Sequence, residues 1–150
     1  MRLRNLVGAG DRIIAMALPL AAAGIVANAV WPDIFRMGFG RVGWIAGIVL
    51  LTVAVPLWLW AVAQILVYAP HGRLITSGPF ALVLHPIYTF VALLLVPGIG
   101  LVVDSWMGFM IGGTLYIASR LFAPSEEKQL AKAFPAEYTS YRGRVLLPWL

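Results

Sequence analysis

Apolar residues run through this chain in long, nearly unbroken stretches, without the period-two alternation that marks barrel or sandwich strands. The first stretch, Ile13 to Trp31, is long enough to cross about 30 Å of hydrocarbon at about 1.5 Å per residue, and predicts a membrane span. Arg2 and Arg4 before it and Ala27-Asn28-Ala29 within it also suit a secretory signal peptide, but the run exceeds the apolar region of such a peptide. The second stretch, Trp44 to Tyr68, carries Pro56 inside and Gln64 near its end, which predicts a long, bent or tilted span. A third runs from about Tyr88 to Val103 and a fourth from Trp106 to Phe122, with only Asp104 and Ser105 between them, so they predict a tight helical hairpin. Gly108, Gly112 and Gly113 in the fourth are expected to let a neighbouring backbone approach closely.

From Ser125 the texture turns polar. Ser125 reads as the N-cap of a new helix with Glu126 and Glu127 in its first turn, and Leu130 and Phe134 share one face of it. Residues 1–150 thus predict a single all-α membrane domain. It is an integral membrane helical bundle of four transmembrane helices, at about 13–31, 44–68, 88–103 and 106–122, with a cytoplasmic amphipathic helix in the C-terminal segment 123–150.

Composition agrees: the chain is 61% hydrophobic and 11% charged, where soluble domains are about a quarter charged. It contains no cysteine, which removes disulfides, thiolate nucleophiles and iron–sulfur ligation, and two histidines without an acidic cluster make metal binding unexpected. The net charge of +5 flanks apolar segments, so it speaks for membrane headgroups and orientation rather than nucleic acid. Of the eleven Lys and Arg residues, Arg2, Arg4, Arg12, Arg73, Arg120, Lys128, Lys132, Arg142 and Arg144 fall on one side of a four-span fold, leaving Arg36 and Arg41 on the other. That bias predicts cytoplasmic N- and C-termini.

The same topology puts His71 to Tyr88 and Arg120 to Arg144 on one side, where the polar groups gather, so a site for a water-soluble cofactor is expected there. The run Arg73-Leu-Ile-Thr-Ser-Gly-Pro-Phe-Ala-Leu-Val-Leu-His-Pro-Ile-Tyr88 is followed one hairpin later by Glu126-Glu127 with spaced Leu130, Phe134, Tyr138 and Tyr141. Together these resemble the isoprenylcysteine carboxyl methyltransferase and phospholipid methyltransferase superfamily over roughly the last eighty residues. Leu84 stands where that family usually has arginine, and Phe90 where it usually has glycine.

The resemblance implies an S-adenosylmethionine pocket under the hairpin, closed by the C-terminal segment, and a lipophilic or lipid methyl acceptor entering from the bilayer. Carried over residue by residue, it implies cofactor contacts at Gly72, Arg73, Leu74, Ile75, Phe80, His85, Pro86, Ile87, Tyr88, Glu126 and Glu127. Arg120 and Glu127 are its candidates for a part in the reaction, Arg120 by orienting an anionic acceptor. A carboxylate can hold ribose hydroxyls or an ammonium group, and aromatic faces can stabilise a sulfonium.

Each residue also has a plainer explanation. His85 suits a membrane interface, Tyr88, Tyr138 and Tyr141 suit an aromatic belt, Glu126 and Glu127 suit a helix N-terminus, and Arg142 and Arg144 suit headgroup anchoring. The leading expectation is a methyltransferase of isoprenylcysteine-like carboxylates. Phospholipid N-methylation, a nicotinamide-dependent (NADPH) sterol-type reductase and a non-catalytic membrane scaffold are the alternatives.

Overall fold

The computed structural model describes residues 8–148, and all regular secondary structure among them is helical. Arg2 and Arg4, which enter the orientation count, lie outside the described residues.

Helix α1 (Gly8–Val30) is followed by the single turn α2 (Pro32–Phe35) and the long α3 (Gly40–Tyr68). Residues Gly10–Val30 and Gly40–His71 form two helices long and apolar enough to cross a membrane, with mean hydropathies of 2.1 and 2.3. Only 17% of the apolar window in each is buried within the chain. The core helix of a soluble protein buries most of that surface, and these two helices leave most of it exposed.

After a 3-10 turn (Ala69–His71), the chain makes two short helices, α4 (Pro79–Leu82) and α5 (Pro86–Phe90). Gly78 has φ 61° and feeds Pro79, which occupies the start of α4 where its missing N–H costs nothing. Helix α5 continues through a wide π turn (Val91–Leu95) into α6 (Val96–Val102), making one apolar rod from Pro86 to Val102. Its cause is local: Pro97 has no N–H to give and its ring crowds the preceding turn, and Val96 N–H bonds Val91 O instead of the usual partner four residues back.

The rod turns at Asp104, which adopts φ 54°, and returns as α7 (Met107–Ala133). At this crossing Gly100 and Gly108 meet backbone to backbone: a Cβ on Gly108 would lie 2.6 Å from Gly100 Cα. The core of the bundle is built on such small residues, with Ala54, Ala61, Ala92 and Ala118 fully buried. The turn itself is clamped. Asp104 accepts from Arg36 Nε and from Phe39 N, both at 3.2 Å, and Ser105 Oγ donates to Asn28 Oδ1 at 2.6 Å.

Two expectations fail. Ser125 does not start a helix: α7 runs unbroken through Pro124, and Ser125 Oγ bonds back to Phe122 O at 2.7 Å. Pro124 and Arg120 are both exposed, so the carbonyl that the proline leaves without a donor faces outward and the helix survives. Glu126 and Glu127 therefore sit inside a helix rather than at an N-terminus, and the macrodipole does not explain them. Gly113 does not pack against a helix either, since a Cβ there would meet nothing within 4 Å, whereas Gly108 and Gly112 do face neighbouring backbone.

The amphipathic C-terminal helix is the later α8 (Pro135–Arg142), which buries Tyr138 and Tyr141 and exposes its remaining polar residues. Leu130 and Phe134 pack against those tyrosines, so the protein itself takes up that face.

Candidate functional site

The start of α5 and the last third of α7 meet at one end of the bundle, opposite the Asp104 turn. His85, the residue before α5, has φ −124° and ψ 65°, outside the helical region that the following proline disfavours, and its ring meets α7. Its Nε2 lies 3.2 Å from Glu127 Oε1 and its Nδ1 3.9 Å from Glu126 Oε2. One helical turn on, Tyr88 OH donates to Glu126 Oε1 at 3.1 Å. The two rings are near parallel, with centroids 6.2 Å apart.

Glu127 is the hub. Its second oxygen, Oε2, accepts from Tyr138 OH at 3.2 Å and faces Arg142 Nη1 at 3.4 Å. The hydrogen bond from His85 holds the Glu127 carboxyl below the usual glutamate range against the opposing effect of burial, with attraction to His85 and Arg142 and the Tyr138 hydroxyl adding to it. An ionised carboxylate only accepts, so the imidazole carries a proton on Nε2. Burial, then the Glu127 charge, then the hydrogen bond to it push the Tyr138 hydroxyl up to about 12. The Tyr141 hydroxyl is raised too, mainly by burial.

The C-terminal segment straps this end shut. Tyr141 OH donates to Phe80 O at 2.8 Å, and Leu146 N and Leu147 N donate to Ala81 O and Leu82 O at 3.1 and 2.9 Å. Leu84, Tyr138, Tyr141 and Val145 form the buried cluster beneath, with Leu74 and Phe80 against it. Leu84 thus fills a dry position.

A cleft of about 320 Å³ opens on the Glu127 side, walled by Arg120, Lys128, Tyr138 and Arg142. A shallower depression of about 730 Å³ adjoins it and shares Arg120, Tyr138 and Arg142.

Of the residues expected to hold a cofactor, His85, Tyr88, Glu126 and Glu127 come together, and Glu127 alone of these lines the cleft. Pro86 is fully buried and fixes the start of α5, and Ile87 is half-buried. Phe80 and Leu74 join the apolar cluster, Ile75 is half-buried, and Gly72 and Arg73 are exposed; none of Gly72 to Ile75 lines the cleft. Arg120 lies at the cleft wall.

Sequence reasoning missed two participants. Arg142 was assigned to headgroups but reaches Glu127, and Lys128 walls the cleft. The signal for Arg142 was its place four residues after Tyr138, on the same face of a helix. Among the described residues no group of His, Cys, Asp and Glu could hold a metal ion. No protein-family model, curated protein or solved structure matches the chain.

Proposed function

We propose that this chain is a membrane-embedded methyltransferase that uses S-adenosylmethionine and acts on a lipophilic acceptor, as the isoprenylcysteine carboxyl methyltransferases that it resembles do. The observation that carries the proposal is the meeting of His85 and Tyr88 with Glu127 and Glu126, since the resemblance ties these two segments to one chamber. In this reading α1, α3, the Pro86–Val102 rod and the apolar part of α7 give four spans, and the Lys and Arg distribution sets both termini in the cytoplasm.

The walls of the cleft suit such a cofactor. Glu127 offers a carboxylate for ribose hydroxyls or an α-ammonium group, Lys128 and Arg142 offer cations for an α-carboxylate, and Tyr138 offers an aromatic wall for a sulfonium. The bound cofactor supplies a methyl group activated by its positive sulfur. The task of the chain is then to hold two partners in line and keep water out, and no covalent step on a side chain is required.

Glu127 already accepts from His85 and Tyr138 and faces Arg142, and its carboxyl is held below the usual range, so it is a poor proton acceptor. An acceptor that is an anion at neutral pH, such as an isoprenylcysteine-like carboxylate, therefore fits better than an aminophospholipid, which must first lose a proton.

Titration calorimetry of the detergent-purified chain with S-adenosylmethionine and, separately, NADPH tests the proposal. Saturable binding of the first alone is expected. Binding of NADPH alone points to the reductase, and binding of neither to the scaffold.

A further inference from the structure

Arg120 and Lys128 take no hydrogen-bond or ion-pair partner among the described residues, and Arg142 is more than half exposed even while it faces Glu127. The one carboxylate among the described residues of the adjoining cleft, Glu127, accepts from His85 and Tyr138 and lies 3.4 Å from Arg142, which leaves Arg120 and Lys128 without a carboxylate of their own. The shallow depression beyond it has Arg120 and Arg142 on its walls and no carboxylate among its described lining residues, which makes it a cationic seat.

Arg120 also ends an apolar face. Phe109, Gly113, Ile117 and Arg120 recur at intervals of four, four and three, so they line up along one side of α7. Phe109, Met110 and Ile117 are 47%, 56% and 57% exposed, and the space over Gly113 is empty. The result is a notch in the lipid-facing side of the helix, about 10 Å deeper in the bilayer than the arginine.

We propose that the depression seats the headgroup of an anionic glycerophospholipid, its phosphate pairing with Arg120 and Arg142 and an acyl chain lying in the notch over Gly113. Charge complementarity selects the occupant: two guanidinium groups bind a phosphate oxyanion well, and a headgroup that adds its own cation cancels the attraction. This assigns Arg120 to a resident lipid rather than to the methyl acceptor. The two readings share Arg142, but the lipid site depends on α7 crossing the bilayer and is read by lipid retention without cofactor, and calorimetry with the cofactor is a separate measurement, so either can fail alone.

Native mass spectrometry of the full chain, released from micelles doped with phosphatidylglycerol or phosphatidylcholine, tests the site. Phosphatidylglycerol should be retained at least about fivefold better, and Arg120→Gln should remove about that factor while leaving phosphatidylcholine unchanged. Gly113→Leu should lower retention of both lipids without lowering thermal stability, because the new side chain enters open space. Equal retention of the two lipids by the unaltered chain, or unchanged selectivity in Arg120→Gln, overturns the proposal. Displacement of phosphatidylglycerol by millimolar inorganic phosphate overturns the lipid as the occupant.

Discussion

His85 and Glu127 are 42 positions apart in the chain, yet His85 Nε2 lies 3.2 Å from Glu127 Oε1. The contact ties the mouth of the Pro86–Val102 rod to α7 at the end where α8 and the C-terminal strap also close. Both side chains are largely shielded, at 11% and 16% exposure, so the pair is screened less than a surface contact.

The Glu127 carboxyl is held below the usual range, and the sign of the resulting pH effect follows. The folded state releases this proton more readily than the unfolded state, so the stabilisation is present above the unfolded glutamate value and is lost as pH falls through the lower folded value. Thermal unfolding in detergent between about pH 6 and about pH 3 should show a steeper acid loss for the native chain than for Glu127→Gln. Parallel curves would remove Glu127 from its central position.

At the alkaline end the sign reverses. Tyr138 is raised to about 12, so the neutral phenol is favoured in the folded chain. Its contribution is complete below the unfolded tyrosine value and is lost as pH rises through about 12. Tyr138→Phe should abolish that alkaline component, and ultraviolet titration of the phenolates should lose one late-titrating group.

Two glycines of α7 give opposite outcomes. A Cβ on Gly108 would lie 2.6 Å from Gly100 Cα and 2.8 Å from Val96 O, so Gly108→Ala must push the hairpin apart. Gly113→Ala meets nothing and should stabilise by about 1 kcal/mol through helix propensity. Thermal unfolding of the two variants separates them; a loss at Gly113 as large as that at Gly108 contradicts the crossing at Gly100.

These glycines mark where the sequence stops being legible. Hydropathy places a span at 106–122, but Gly108, Gly112 and Gly113 differ only in which side of α7 they occupy, and that depends on the rotation of the helix against its partner. Ser125 is a similar case. It carries the local signature of an N-cap, yet continuing α7 through an exposed Pro124 keeps one long helix packed under His85 and Tyr88. The meeting of His85 with Glu127 was legible because it needs only connectivity: a two-residue turn forces the flanks of the hairpin to the same end. Arg142 was not, because its reach to Glu127 depends on the turn at Phe134 that folds α8 back.

Removing the central contacts should weaken the proposed donor site. Glu127→Ala should lose at least about tenfold in S-adenosylmethionine affinity, the scale of one charge-assisted hydrogen bond, and His85→Ala should lose less because it acts by positioning Glu127. Arg144→Ala, whose Nε among the described residues bonds Ser140 O at its own helix end, serves as the unaffected control. Calorimetry checks the affinities and size-exclusion elution checks that each variant remains folded; unchanged affinity in both site variants removes the assignment.

Leu84 tests how far the family resemblance extends into this chain. It is 7% exposed, among Tyr138, Tyr141 and Val145, at the position where that family usually has arginine. An arginine there must either bring its charge into a dry cluster or push apart the strap that holds α8, and either route costs about 3 kcal/mol or more. Leu84→Arg should therefore lower thermal stability sharply, while Leu84→Met, similar in volume, should cost less than about 1.5 kcal/mol. Equal stability of the two variants would mean that the cluster is open to water and that the strap does not seal the site. A sharp loss in the arginine variant alone means that this chain built the end proposed to hold the cofactor around an apolar residue, so that the cations for any anionic ligand there must come from α7 and α8, where Lys128 and Arg142 stand at the cleft.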